Sequence, residues 1–145
     1  MYYLVGSQTN TLIMRHNNLF ILATFILLLT VILGAFGAHG LKPYMVEGGS
    51  HTFQTGIKYQ FYHGLVIFML LILHLNSPIA TLKRIVYFFL AGIICFSGSL
   101  YLLSVKTSLP DSLIQIIGPI TPLGGLFFIA GWVLLLLHFI KMPGQ

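Results

Sequence analysis

The residues able to do chemistry are few, and they lie close to the ends of apolar runs. His39 and Lys42 follow the first run. Lys58, Tyr59, Gln60, Tyr62 and His63 open the second. Ser97, Ser99 and Tyr101 close the third, and Pro119 and Thr121 open the fourth. Two histidines on facing helices can ligate haem or a metal ion. Serines beside a histidine can form a nucleophile and its base. Lysines near helix N-termini can hold an anion such as a lipid head group or a carboxylate.

Each of these chemistries meets a plainer reading. No Cys, Asp or Glu joins His39 and His63 within a run, and neither Cys-x-x-Cys-His nor His-Glu-x-x-His occurs. The histidines therefore read as hydrogen-bonded structural groups, and no cofactor or metal is expected. No acid inside the runs would orient His63 toward Ser97 or Ser99, so no catalytic residue is assigned and enzyme activity is not expected. The lysines fit equally well as side chains that snorkel to a membrane surface.

Composition says where such residues must sit. Of 145 residues, 57% are hydrophobic and 6% charged, against about 25% charged in a soluble domain. So few charges cannot keep a surface wet, and the chain belongs in a bilayer. The net charge of +5 is scattered between apolar runs, as membrane-end anchors are, so nucleic acid is not a partner. Cys95 is the only cysteine, which excludes a disulfide within one chain.

The runs divide the chain into a tail over 1–18 and a single domain over 19–141, with spans over about 19–38, 57–75, 85–105 and 118–138. The first run, at about 1.5 Å per residue, covers the roughly 30 Å hydrocarbon core. A cleaved signal peptide ending at Ala38-His39-Gly40 is the competing reading. Pro43 and Gly48-Gly49 break the first connection, and Gly118-Pro119 fits a helix start. A broken helix of transporter type is the alternative for Pro119 and Pro122. The fold class is all-α, an integral membrane four-helix bundle.

Four spans put both termini on one side. Arg15, Lys83, Arg84 and Lys141 lie there without an acid, whereas Lys42, Lys58 and Lys106 share the other side with Glu47 and Asp111. Counting Lys and Arg alone favours termini inside. The polar residues named above all fall at the opposite end. In lipid, polar groups must face the bundle or water, so these residues are expected to converge in a vestibule there. Gly34, Gly37 and Ala38 on the first span, Ala91, Cys95 and Gly98 on the third and Gly124 on the fourth are expected to let helix backbones approach closely.

Four blocks carry a resemblance. They are Gly34-Ala-Phe-Gly-Ala-His-Gly-Leu-Lys42, Thr55-Gly-Ile-Lys-Tyr-Gln-Phe-Tyr-His63, Phe96-Ser-Gly-Ser-Leu-Tyr-Leu-Leu103 and Gly118-Pro-Ile-Thr-Pro-Leu-Gly-Gly-Leu-Phe-Phe-Ile-Ala-Gly-Trp132. In this order they resemble the bacterial YgdD/YwdK membrane proteins, domain of unknown function 423, over roughly Leu19 to His138. The resemblance implies four spans, a retained first helix and a bacterial inner or plasma membrane. It implies no biochemical activity. The longer tail, the short glycine-containing first connection and Gly64, where alanine is usual, depart from the family pattern.

The sequence thus points to a multi-pass membrane protein of structural or interaction type, partnered by the bilayer and by a second copy or another membrane protein. Its alternative is binding or transport of a small anionic or amphipathic ligand in the vestibule.

Overall fold

The computed structural model describes residues 2–105 and 110–141, with side chains from Asn17 onward apart from that of Asp111. Lys106, one of the three lysines of the expected anion site, lies outside the described residues.

Within those bounds the chain is helical. Helix α1 spans Tyr2–Ala38, α2 Gly49–Asn76, α3 Leu82–Gly92, α4 Gly98–Ser104 and α5 Asp111–Ile140. A π-helical turn, Ile93–Ser97, joins α3 to α4 without breaking the third crossing. Four stretches are long and apolar enough to cross a membrane: Asn17–Ala38, Gly49–Asn76, Leu82–Ser104 and Ser112–Ile140. Helices suit this solvent because each satisfies its own backbone donors and acceptors.

The helices begin earlier than hydropathy alone places them. Helix α1 reaches back through the stretch expected as a tail. Helix α2 starts at Gly49 and not near Ile57. Gly48 makes the turn in a left-handed conformation, φ 72°, which glycine adopts without steric cost. The Val46 amide then donates to the Ser104 carbonyl at 3.0 Å, and this bond pins the first connection to the end of α4. Helix α5 starts at Asp111, so Pro119 and Pro122 lie inside it and not at its first turn. Both prolines are exposed, which leaves the carbonyls they fail to serve near the surface.

Neighbouring helices run antiparallel in a fixed register. Between α3–α4 and α5, Phe89 faces Gly131, Gly92 faces Phe128 and Phe96 faces Gly124. One turn further, Ser99 meets Thr121. Each step along one helix is matched by an equal step back along the other. Three times a glycine sits under a phenylalanine, and the donor helix alternates. Between α1 and α2 the same device pairs Gly37 with Phe53 and Gly64 with Ile26. A β-carbon at Gly124 would collide with the backbone of Phe96, so this crossing is backbone against backbone.

The apolar core fills the end of the bundle nearer the termini. Ile67, Leu70 and Leu71 of α2 pack there with Ile79, Leu82, Ile85, Val86 and Phe89, together with Ala23 and Ile26 of α1 and Leu135 of α5. The outer faces of α1 and α5 carry exposed Phe25, Leu28, Val31, Leu126, Ile129 and Leu136, as lipid-facing surfaces do.

Candidate functional site

The polar residues expected to line a vestibule divide into two groups. One group is buried and bonded within the bundle. The other is exposed on its outer surface.

Gln60 is the centre of the first group. It sits midway along α2 and is 3% exposed. Its amide nitrogen donates to the Thr30 hydroxyl at 2.9 Å and to the Ile26 carbonyl at 3.1 Å. Its amide oxygen accepts from the Tyr101 hydroxyl at 2.9 Å. Thr30 in turn donates to the Ile26 carbonyl at 2.8 Å. The Ile26 carbonyl only accepts, which fixes which way the amide faces. One side chain therefore ties α2 to both α1 and α4, and both of its N–H groups are used.

His63 lies one helical turn from Tyr59 and makes the link to α5. Nδ1 is 2.8 Å from the Tyr59 carbonyl, and the Trp132 indole N–H donates to Nε2 at 3.2 Å. An indole nitrogen only donates and a carbonyl only accepts. The ring therefore carries its single proton on Nδ1 and is neutral in this arrangement. It also stacks on Phe128, with centroids 3.6 Å apart and planes 11° from parallel. Phe89 packs against both His63 and Trp132. With both nitrogens engaged and a ring on its face, His63 offers no free ligand position.

A third link joins α4 to α5. The Ser99 hydroxyl donates to the Phe96 carbonyl at 2.9 Å, so the 2.7 Å contact with Thr121 has Thr121 as donor. Ser104 is buried and bonds the Tyr101 carbonyl. Ser97 is fully buried in the π-helical turn, and its hydroxyl has no partner.

The exposed group is His39, Lys42, Lys58, Tyr59, Tyr62 and Pro119. His39 contacts only its own helix, through the Ala35 carbonyl at 3.4 Å, and does not share a site with His63. Tyr59 packs on Phe96 and Phe128. Among the described residues no three His, Cys, Asp or Glu side chains gather as metal ligands would.

The small residues divide in the same way. Gly37 and Gly124 lie against Phe53 and Phe96, whereas Gly34 and Gly98 have nothing within 4 Å of where a β-carbon would stand. Ala38 is exposed. Cys95 is partly buried and free, and Ala91 lines a groove between α3 and α5. Sequence reasoning missed Thr30 and Trp132, and the packing glycines Gly56, Gly64, Gly92 and Gly131. Gly56 lies in the second of the four blocks that carry the resemblance. In the fold it makes room for the Tyr101 ring.

The profile described as "Protein of unknown function (DUF423)" matches residues 33–125. The chain is 41% identical to the UPF0382 membrane protein YwdK of Bacillus subtilis (strain 168) over 115 residues, 79% of this chain and 89% of that protein. It is 39% identical to the UPF0382 inner membrane protein YgdD of Escherichia coli (strain K12) over 119 residues, 77% and 81% of the two chains. A Staphylococcus haemolyticus membrane protein of the same description is 35% identical over 124 residues, 86% of this chain and 96% of its own length.

The chain belongs to the DUF423 family. No solved structure matches it. Together with the four apolar helices, membership makes this a multi-pass protein of the lipid bilayer. The DUF423 match takes in Gly37, Gln60, His63, Ser99, Tyr101, Thr121 and Gly124. It leaves out Ile26 and Thr30, the acceptors on α1, and Phe128 and Trp132, the partners of His63 on α5. Two of the three links thus close between the matched region and the parts of α1 and α5 beyond it, and the Ser99–Thr121 link lies within it.

Proposed function

We propose that this DUF423 protein is a non-catalytic membrane protein that acts through association, with a second copy of itself or with another membrane protein. One observation carries the reading. Gln60 and His63, the most polar buried side chains, have every donor and both ring nitrogens engaged by their own chain. A ligand site keeps some capacity free for its ligand. Here the capacity goes into holding four helices in register, and what remains for function is the outer surface. On that surface Gly34 and Ala38 form a small-xxx-small pair with no neighbour of its own at Gly34, the kind of face on which helices approach in lipid. Both termini lie on the cytoplasmic side by the Lys and Arg count, in the plasma or inner membrane.

Cross-linking in native membranes, followed by purification and mass spectrometry, tests this. The expected outcome is a cross-linked species of defined stoichiometry that Gly34→Leu weakens while helical content is kept. A monomer with no cross-linked partner would overturn the proposal. So would a small molecule that leaves the protein when His63 becomes phenylalanine, a change that keeps the stack on Phe128.

A further inference from the structure

Three basic residues lie at the end opposite the polar cluster. Lys83, Arg84 and Lys141 are exposed there. The two acidic residues, Glu47 and Asp111, lie at the other end, in the first connection and at the start of α5. Neither of these side-chain carboxylates is on the side where Arg84 stands. It stands at the mouth of a groove between α3 and α5, lined by Arg84, Tyr87, Phe88, Ala91 and Phe127, with a volume of about 240 Å³. The lining is almost wholly apolar, so Arg84 enters it through its aliphatic stem and keeps the guanidinium outside. Phe88 and Phe127, both in the lining, pack on each other with ring centroids 6.3 Å apart and planes inclined at 45°. Ala91, two turns below Arg84, leaves the floor open.

We infer that this groove binds an anionic phospholipid, with the phosphate on Arg84 and one acyl chain running past Tyr87 to Ala91. The chemistry fits at both ends. A guanidinium meets a phosphate with paired, charge-assisted hydrogen bonds. The run from Arg84 to Ala91 descends about 10 Å along the helix, from head-group level into the hydrocarbon. Tyr87, 59% exposed, stands between them at the depth where tyrosines favour the interface. Basic pockets between helices recognise anionic head groups in this way. The groove is separate from the polar cluster, where the donors are already taken, and does not depend on it.

The test uses the full-length protein, stripped of lipid and reconstituted with equal phosphatidylglycerol and phosphatidylcholine, then examined by native mass spectrometry. Wild type should retain one phosphatidylglycerol in preference to phosphatidylcholine. Arg84→Ala should lower that adduct about tenfold, the worth of a charge-assisted bond. Ala91→Leu, which fills the floor but keeps the charge, should also lower it. Lys83→Ala, one position away but outside the groove, should keep it within about twofold. Equal retention of the two lipids by wild type would overturn the inference. So would equal losses from Arg84→Ala and Lys83→Ala, because that pattern belongs to diffuse attraction and not to a groove. Arg84→Gln replaces Arg84→Ala if circular dichroism shows the latter unfolded, and the same outcomes decide.

Discussion

The two ends of the bundle are held by different physics. Near the termini the interior is largely apolar: Ile85, Val86 and Phe89 are fully buried among leucines and isoleucines, and the buried Thr81 Oγ1 and His138 Nε2 make no hydrogen bond. At the other end the interior is crossed by hydrogen bonds from Gln60, Tyr101, Ser99 and Thr121. In lipid the apolar end gains nothing from leaving water, because the separated helices are already out of it. It gains from close contact, which depends on shape. The polar end gains from direction, since a bond made in the wrong register is not made. Packing supplies strength at one end and hydrogen bonds fix alignment at the other.

The comparison breaks most visibly at Phe89. Its ring fills the space over Gly131 and touches His63 and Trp132. Phe89→Ala should cost about 3 kcal/mol. That is the low end for deleting a buried phenylalanine, because the lipid-embedded reference state already shelters the ring from water. Thermal unfolding in detergent, followed by circular dichroism, should show the midpoint fall. An unchanged midpoint would mean that the apolar end is looser than its burial indicates.

A smaller effect is expected at Gln60. Gln60→Leu keeps the bulk, removes three hydrogen bonds and leaves the Tyr101 hydroxyl without its acceptor. The loss should be about 1–2 kcal/mol, because bonds between membrane helices average well under 1 kcal/mol each and the orphaned hydroxyl adds to the cost. Adding Tyr101→Phe removes the orphan and should recover part of the loss. A double-mutant cycle on unfolding midpoints measures the coupling directly. A coupling of zero would show that the bond does not hold α2 to α4.

Much of this was legible in the sequence. Four apolar runs of membrane length give the spans, and the polar ends of those runs place Gln60, His63, Ser99, Tyr101 and Thr121 at one end of the bundle. What the runs do not encode is the partner of each residue. Gln60 pairs with Thr30 across 30 positions and His63 with Trp132 across 69. Thr30 and Trp132 look, in sequence, like ordinary members of apolar runs. Nor do the runs encode whether such polar residues leave open space between the helices or fill it. In the fold Gln60, His63 and Ser99 are buried and bonded there, and Lys42 and Lys58 are exposed. Helix starts were also displaced, because Gly48 and Pro110 allow α2 and α5 to begin outside the apolar runs. Glycine spacing alone does not say which neighbour a glycine meets. Small-xxx-small picks out Gly34, whereas the helix contacts within this chain use glycines that face a bulky side chain on the next helix.

That last rule gives the smallest and most discriminating test. Gly34 and Gly37 lie on the same helix three residues apart, yet a β-carbon at Gly34 meets nothing within 4 Å and one at Gly37 meets the Phe53 ring. Gly34→Ala should leave the unfolding midpoint unchanged or raise it slightly, by up to about 1 kcal/mol, because alanine costs a helix less than glycine does. Gly37→Ala gains the same helical preference but must displace Phe53, which is itself held against Tyr101 at 4.8 Å between ring centroids. It should come out destabilising by about 1 kcal/mol or more. Measured side by side in the detergent-solubilised monomer, the two variants separate glycine as a spacer from glycine as a socket. Equal effects would mean that Phe53 swings aside freely, and the register between α1 and α2 would then rest on Gln60 and on Gly64 against Ile26.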